Sequence, residues 1–218
     1  MPNYNDIYVL LPVRLGNPKT RLAPILNPDA RSKLTLLMLN DVIDVINNFQ
    51  NVFVVTQDKS VISIAKERGV KLIRAVMGDL NSDIEYAQLW CMKSSAKSIL
   101  ILLPDLPAIT AEDLIEIVNL GVGDITSVIT PSKDGGTNAL FLKPCNLIKP
   151  SFGKNSFNRH MQDLRKIGID AKLYSSMGTR LDIDTIDDAR ELIRIKDTLS
   201  RIPRSLTYLE KLIQDDLK

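Results

Sequence analysis

Three cations stand within eight residues of one another in Arg14-Leu15-Gly16-Asn17-Pro18-Lys19-Thr20-Arg21, just after an apolar run over residues 7–11. Arg14, Lys19 and Arg21 on one loop can surround a polyphosphate. Gly16 and Asn17 let the backbone turn tightly enough to aim amides inward. The competing account is a solvated basic loop. Neither G-x-x-x-x-G-K-[ST] nor G-x-G-x-x-G occurs, so a P-loop and a dinucleotide fingerprint are both excluded.

The acids form the second group. Asp105 sits in Pro104-Asp105-Leu106-Pro107 at the end of the most hydrophobic run, residues 98–103. Flanking prolines restrict the backbone and prevent regular ladder pairing. A carboxylate held rigidly there suits Mg2+, which takes one or two carboxylates together with waters and phosphate oxygens. The alternative is a turn acid bonded to its own loop. Asp182 and Asp184 bracket Ile183. In an extended segment residues two apart share a face, so both carboxylates can converge on one ion. Asp187 and Asp188 read instead as first-turn acids of the next helix.

The third group could hold an anion. Gly135-Gly136 leads into Thr137 and Asn138, a hydroxyl and an amide after a flexible turn. Gly153 and Ser156 lead into a helix whose exposed N-terminal amides suit phosphate or carboxylate. His160, the only histidine, falls on that helix with Phe157, Leu164 and Ile167, which points to a structural or supporting role rather than catalysis. Trp90 and Tyr86, at helical spacing, read as core residues.

Strand-like and helix-like patterns alternate around these groups. Apolar runs at residues 7–11, 52–55, 70–75, 98–103, 124–129, 139–142 and 171–174 read as strands. Helices are expected from Asn27-Pro28-Asp29, then at 60–68, 81–93, from the capping-box pattern Thr110-Ala111-Glu112-Asp113, and at 156–167, 186–199 and 206–213. The result is an α/β fold with a mixed, mostly parallel sheet, helices on both faces and antiparallel pairing near 139–142. Ligands of open α/β sheets bind at the carboxyl ends of the strands, where Arg14 and Asp105 fall. No repeat or linker divides residues 1–218, so one domain is expected.

The chain has 218 residues, 44% hydrophobic and 25% charged, with a net charge of +2. That size supports a core without disulfides. Cys91 and Cys145 stand in no metal-binding spacing and read as reduced thiols. The charge balance gives no case for nucleic acid. No run approaches the roughly 20 apolar residues of a membrane span, and the N-terminus lacks a signal-peptide pattern. The expectation is a cytoplasmic protein with neither a nucleic-acid nor a membrane partner.

Taken together, Pro12 to Leu22 with its Lys-Thr-Arg-Leu ending, Leu103 to Pro107, Gly135-Gly136-Thr137-Asn138-Ala139-Leu140, Phe152-Gly153 with Ser156-Phe157 and His160, and Leu181-Asp182-Ile183-Asp184-Thr185 resemble the 2-phospho-L-lactate guanylyltransferases of coenzyme F(420) biosynthesis. Many members carry an alanine between the proline and the aspartate, where this chain has Pro104-Asp105 directly. The resemblance implies a Rossmann-like sheet of the nucleotide-diphospho-sugar transferase type, a homodimer, and condensation of GTP with 2-phospho-L-lactate to give lactyl-2-diphospho-5'-guanosine and pyrophosphate. It places the acceptor at Thr137, Gly153 and Ser156, and the metal at Asp105 with Asp182 or Asp184. Arg14, Lys19 and Arg21 would hold the β- and γ-phosphates. Gly78-Asp79-Leu80-Asn81, similar to a family Gly-Leu-Asn segment, would face the guanosine through Gly78 and Asn81. The nearest alternative is the same chemistry on phosphoenolpyruvate or 3-phosphoglycerate, and the distant one a non-catalytic nucleotide sensor.

Overall fold

Seven strands form one sheet in the computed structural model, which describes residues 4–74, 78–94 and 96–215. The strands are β1 (Ile7–Pro12), β2 (Asn51–Val55), β3 (Lys71–Ile73), β4 (Ser98–Leu102), β5 (Thr126–Pro131), β6 (Thr137–Lys143) and β7 (Lys172–Leu173). Their spatial order is β3-β2-β1-β4-β6-β5-β7. Only β6 runs against its neighbours, pairing antiparallel with β4 (Leu102 opposite Ala139) and with β5. The mixed, mostly parallel sheet is thus as the alternating pattern implies. The expected strand over 70–75 is shorter, and Ala75 lies outside the described residues.

Period-two alternation sends side chains to two cores. Val9, Leu11, Val54, Leu100, Leu102 and Phe141 face one layer. Leu10, Phe53, Val55, Ile99, Ile101 and Leu142 face the other. The first layer is closed by helices α1 (Pro28–Ile43), α2 (Lys59–Glu67) and α4 (Ala111–Leu120), the second by α3 (Leu80–Lys93) and α5 (Ser156–Lys166). Every residue of β4 is buried, and each large side chain there contributes about 1.5–3 kcal/mol of burial. Helix starts follow local chemistry. Asn27 accepts from the Ala30 amide at 2.9 Å ahead of Pro28, and Thr110 and Asp113 form a complete capping box.

A third apolar cluster lies beneath the loops. It joins Leu22, Ala108, Leu181 and Ile183 to Leu34 and Met38 of α1, Ala189 and Leu192 of α7 (Ile186–Arg194), and Leu206 and Leu209 of α8 (Arg204–Asp215). The C-terminal helix therefore packs on its own domain. Buried Asp41 of α1 accepts from the Arg204 amide at 2.7 Å and the Ser205 amide at 3.0 Å, capping α8 from another helix.

Two expectations are corrected, and one helix is added. Tyr86 is 42% exposed on α3, although Trp90 packs against Phe53 at 4.9 Å between ring centres. The helix expected over 186–199 ends at Arg194 and gives way to a 3-10 turn, Lys196–Thr198, with Ile195 drawn against the third cluster. A short helix, α6 (Met177–Arg180), held by a Ser176/Thr179 capping box, precedes the acidic segment.

Candidate active site

Three loops meet at the carboxyl ends of β1 and β4, and β6 begins at the same edge because it runs backwards. The basic loop after β1 is shaped by two non-glycine residues in the left-handed region, Asn17 (φ 91°) and Lys19 (φ 51°). Asn tolerates that conformation, whereas at lysine it costs roughly 1–2 kcal/mol. The Leu15 amide donates to Asp58 at 2.9 Å and Arg31 donates to the Pro18 carbonyl at 2.9 Å, which pin the loop.

The left-handed turn drives the Lys19 ammonium inward, where it lies 2.6 Å from both Asp105 and Asp184. Burial works against its charge, but the two carboxylates outweigh that and raise its pKa well above the ordinary lysine value. Lys19 thus occupies a point between two acids. The segments carrying those acids are joined directly, because the Ile183 amide donates to the Asp105 carbonyl at 3.1 Å. Ile183 is fully buried in the third cluster, which leaves its neighbours Asp182 and Asp184 to line the cleft above.

Asp182 and Asp184 share the cleft but not their partners. Asn138 donates to Asp182 at 3.3 Å and to the Thr179 carbonyl at 3.0 Å. Burial, then the charge of Asp105, and to a lesser degree that of Asp184, push the Asp182 carboxyl up to about 6, with the Asn138 bond opposing. The segment 181–184 pairs with no strand among the described residues.

The cleft has a volume of about 510 Å3 and is lined by Arg21, Asp105, Asp134, Lys154, Asp182 and Asp184 among its charged residues, with Thr137, Asn138, Gly153 and Ser156 beside them. That size suits a small-molecule site. Thr137 is buried and its hydroxyl lies 3.0 Å from His160 Nδ1. Ser156 is also buried, and its hydroxyl has no hydrogen-bond partner among the described residues. The amides of Ser156 and Phe157, expected to be open to an anion, donate instead to the carbonyls of Gly153 (3.0 Å) and Gly135 (3.3 Å). Thr137 and Ser156 line the cleft, and those two helix amides are already bonded within the chain.

Arg14, Gly78 and Asn81 collect beside α3 and are not among the residues lining that cleft. Arg14 pairs with Asp83 at 3.0 Å. Gly78, at φ 98°, precedes the helix cap Asp79. The Asn81 side chain accepts from the Phe152 amide at 2.6 Å and donates to the Phe152 carbonyl at 3.0 Å. Its amide therefore holds the Phe152-Gly153 loop, and Arg159 grips the same loop through the Ser151 carbonyl at 2.8 Å. Sequence reasoning passed over Asp134 and Lys154. Their signal was their place beside Gly135 and Gly153, the turns already singled out.

No group of three or more His, Cys, Asp or Glu among the described residues makes a metal cage by itself. Magnesium needs none, since it binds through one or two carboxylates completed by phosphate and water. The acids meet that demand. Asp105 Oδ1 is buried without a partner among the described residues, and Asp182 is an anion in surroundings that oppose it. Both deficits are relieved by a cation, so the residues fit the group.

The sheet order is that of the nucleotide-diphospho-sugar transferase fold, here with carboxylates at the β4 end. A nucleotide-diphospho-sugar transferase-type protein from Desulfovibrio desulfuricans G20 shares the fold with a TM-score of 0.78 at 17% identity, over 97% of this chain and 98% of that one. Within that class, residues 7–212 match the model of the CofC-like guanylyl transferases, and the chain belongs to that family. It is 29% identical to the 2-phospho-L-lactate guanylyltransferase of Methanobrevibacter smithii, covering 87% of this chain and 84% of the relative. It is 34% identical to the phosphoenolpyruvate guanylyltransferase of Thermobaculum terrenum, covering 88% and 84%. No helix among the described residues is long and apolar enough to cross a membrane.

Proposed function

We propose that this chain condenses GTP with 2-phospho-L-lactate, releasing pyrophosphate and forming lactyl-2-diphospho-5'-guanosine for coenzyme F(420) biosynthesis. One observation carries the reading. Among the described residues the same cleft holds two buried oxygens without partners, Asp105 Oδ1, which needs a cation, and Ser156 Oγ, which can donate to an anion. A site for a metal nucleotide and a phospho-acid answers both.

An oxygen of the acceptor phosphate attacks the α-phosphorus of GTP, and the bond from that phosphorus to the β-phosphate bridge breaks. The nucleophile is already an anion, so no general base is required, consistent with a cleft whose only nearby imidazole is buried behind Thr137. The work left to the chain is to align two repelling anions. Thr137, Gly153 and Ser156 orient the acceptor. Arg21 and Lys154 reach the phosphates, and Lys19 offsets the charge of Asp105 and Asp184. Arg14 acts through Asp83 on the start of α3, Asn81 holds the Phe152-Gly153 loop that carries the acceptor's Gly153, and Gly78 flanks the guanosine side. Magnesium at Asp105 with Asp182 or Asp184 would supply charge neutralisation for the leaving pyrophosphate.

Phosphoenolpyruvate is the second reading, favoured by the higher identity to the Thermobaculum relative, 34% against 29%. Labelled GTP with Mg2+ and a panel of 2-phospho-L-lactate, phosphoenolpyruvate and 3-phosphoglycerate separates the acceptors. Preference for CTP or UTP would remove the guanylyl assignment to this chain. Tight GTP binding with no pyrophosphate release from any acid would favour a sensor. The reading includes a cytoplasmic homodimer, whose stoichiometry sedimentation equilibrium measures.

A further inference from the structure

His160 is buried on α5, and both of its ring nitrogens are engaged. The Ser151 backbone amide donates to Nε2 at 2.9 Å. A backbone N–H can only donate, so Nε2 carries no proton. A neutral imidazole must then hold its proton on Nδ1, which lies 3.0 Å from the Thr137 hydroxyl oxygen. Burial, helped by the Arg159 charge and opposed by Asp163, pushes the ring down to about 4, so it is neutral at physiological pH. The hydrogen bond therefore runs from Nδ1–H to Thr137 Oγ1. With its oxygen accepting, the Thr137 hydroxyl keeps its own proton to give, and Oγ1 has no other hydrogen-bond partner among the described residues. Thr137 and Ser156 both line the cleft, and the Ser156 hydroxyl is likewise uncommitted.

We propose that His160 is a positioning residue for the acceptor: the Ser151 amide fixes its tautomer, and the tautomer makes Thr137 a hydrogen-bond donor in the hydroxyl seat that, with Ser156, the proposed function already gives the acceptor. The seat's chemical occupant rests on the guanylyl-transfer reading, but the direction of the hydrogen bonds does not.

The chain has a single histidine, so the nitrogen spectrum of 15N-histidine-labelled protein reports this ring alone. A protonated Nδ1 with a bare Nε2 is expected in the substrate-free protein. Protonation at Nε2, or at both nitrogens, at pH 7 overturns the proposal whatever reaction the enzyme performs. Two substitutions then separate positioning from packing. His160→Asn places an amide N–H near the Nδ1 position, and His160→Gln places a carbonyl near the Nε2 position while removing the donor to Thr137. At saturating GTP, His160→Gln and Thr137→Val should each raise the KM for 2-phospho-L-lactate roughly tenfold, the worth of one hydrogen bond to a charged group. The GTP KM should be unchanged, His160→Asn should stay within about threefold of the parent, and the Gln/Val double variant should be no worse than either single. Equal losses in His160→Asn and His160→Gln, or multiplying losses in the double variant, would assign His160 to packing alone. If no acid on the panel turns over, the tautomer still decides the proposal.

Discussion

Replacing Asp182 by asparagine should make the protein more stable and inactive. In the fold its carboxyl is pushed from the ordinary 3.8 up to about 6, mainly by burial and then by Asp105. Those two units correspond to roughly 3 kcal/mol at 1.36 kcal/mol each. Asp182 is only half-buried and solvent screens part of this, so about 1–3 kcal/mol is the working range. The sign follows from proton counting. Between the two pKa values the native state binds more protons than the unfolded chain, so stability falls as pH rises. The penalty is complete above pH 6–7, about half remains at pH 5, and it vanishes below about 3.8. Asparagine escapes it and still accepts from Asn138 through its carbonyl oxygen. In chelator, Asp182→Asn should melt about 3–8 °C above the parent at pH 8, with the gap roughly halved at pH 5. Calorimetry at several pH values measures this. A variant less stable than the parent at pH 8, or a gap that does not change with pH, would refute the reasoning. Added Mg2+ should raise the melting point of the parent; no rise in the variant gives the metal to Asp182, and an equal rise gives it to Asp184.

Asp105→Asn should abolish nucleotidyl transfer while circular dichroism and melting show an intact fold; near-normal turnover in a folded variant would remove its metal role. Asn81→Ala removes two hydrogen bonds to the Phe152 backbone and should cost about 1–3 kcal/mol in denaturant unfolding, with the acceptor KM rising more than the GTP KM. Asp41→Ala leaves the first amides of α8 uncapped and should destabilise by about 2–4 kcal/mol, read from the urea midpoint. Gly178→Ala would place a Cβ 2.5 Å from the Ala108 carbonyl oxygen, so a lowered melting point and slower turnover are expected, since Ala108 stands three residues from Asp105.

Local chemistry made much of this legible. The apolar run over residues 98–103 announced the central strand, which ends one residue earlier at Leu102, and Thr110 with Asp113 announced a helix start that the structure reproduces atom by atom. Antiparallel β6 was legible because its run follows β5 after a turn too short for a crossover helix. What escaped depends on partners remote in sequence. Lys19 was read as a phosphate ligand, and nothing local reveals that its ammonium meets acids 86 and 165 residues away. Asn81 was read as facing a base, yet it grips backbone 71 residues on. The face of α3 carrying Tyr86 has helical spacing and apolar character, but the sheet had already been covered by Ile84, Ala87 and Cys91. For His160, the residue type carried the possibility, and only the Ser151 amide resolved it.

The charge balance of the cleft bears on the order of events. Four carboxylates (Asp105, Asp134, Asp182 and Asp184) stand against three cations (Lys19, Arg21 and Lys154), one negative charge in excess. An acceptor carrying both phosphate and carboxylate meets that excess, and each close like-charge encounter costs about 1–4 kcal/mol. A metal-loaded nucleotide brings the compensating cation with it. Turnover should therefore follow a compulsory sequence, nucleotide before acid, with the acid giving no saturable heat on titration into nucleotide-free protein and saturable heat once a non-hydrolysable GTP analogue and Mg2+ are present. Saturable binding of the acid to the empty protein would mean the two substrates enter at random.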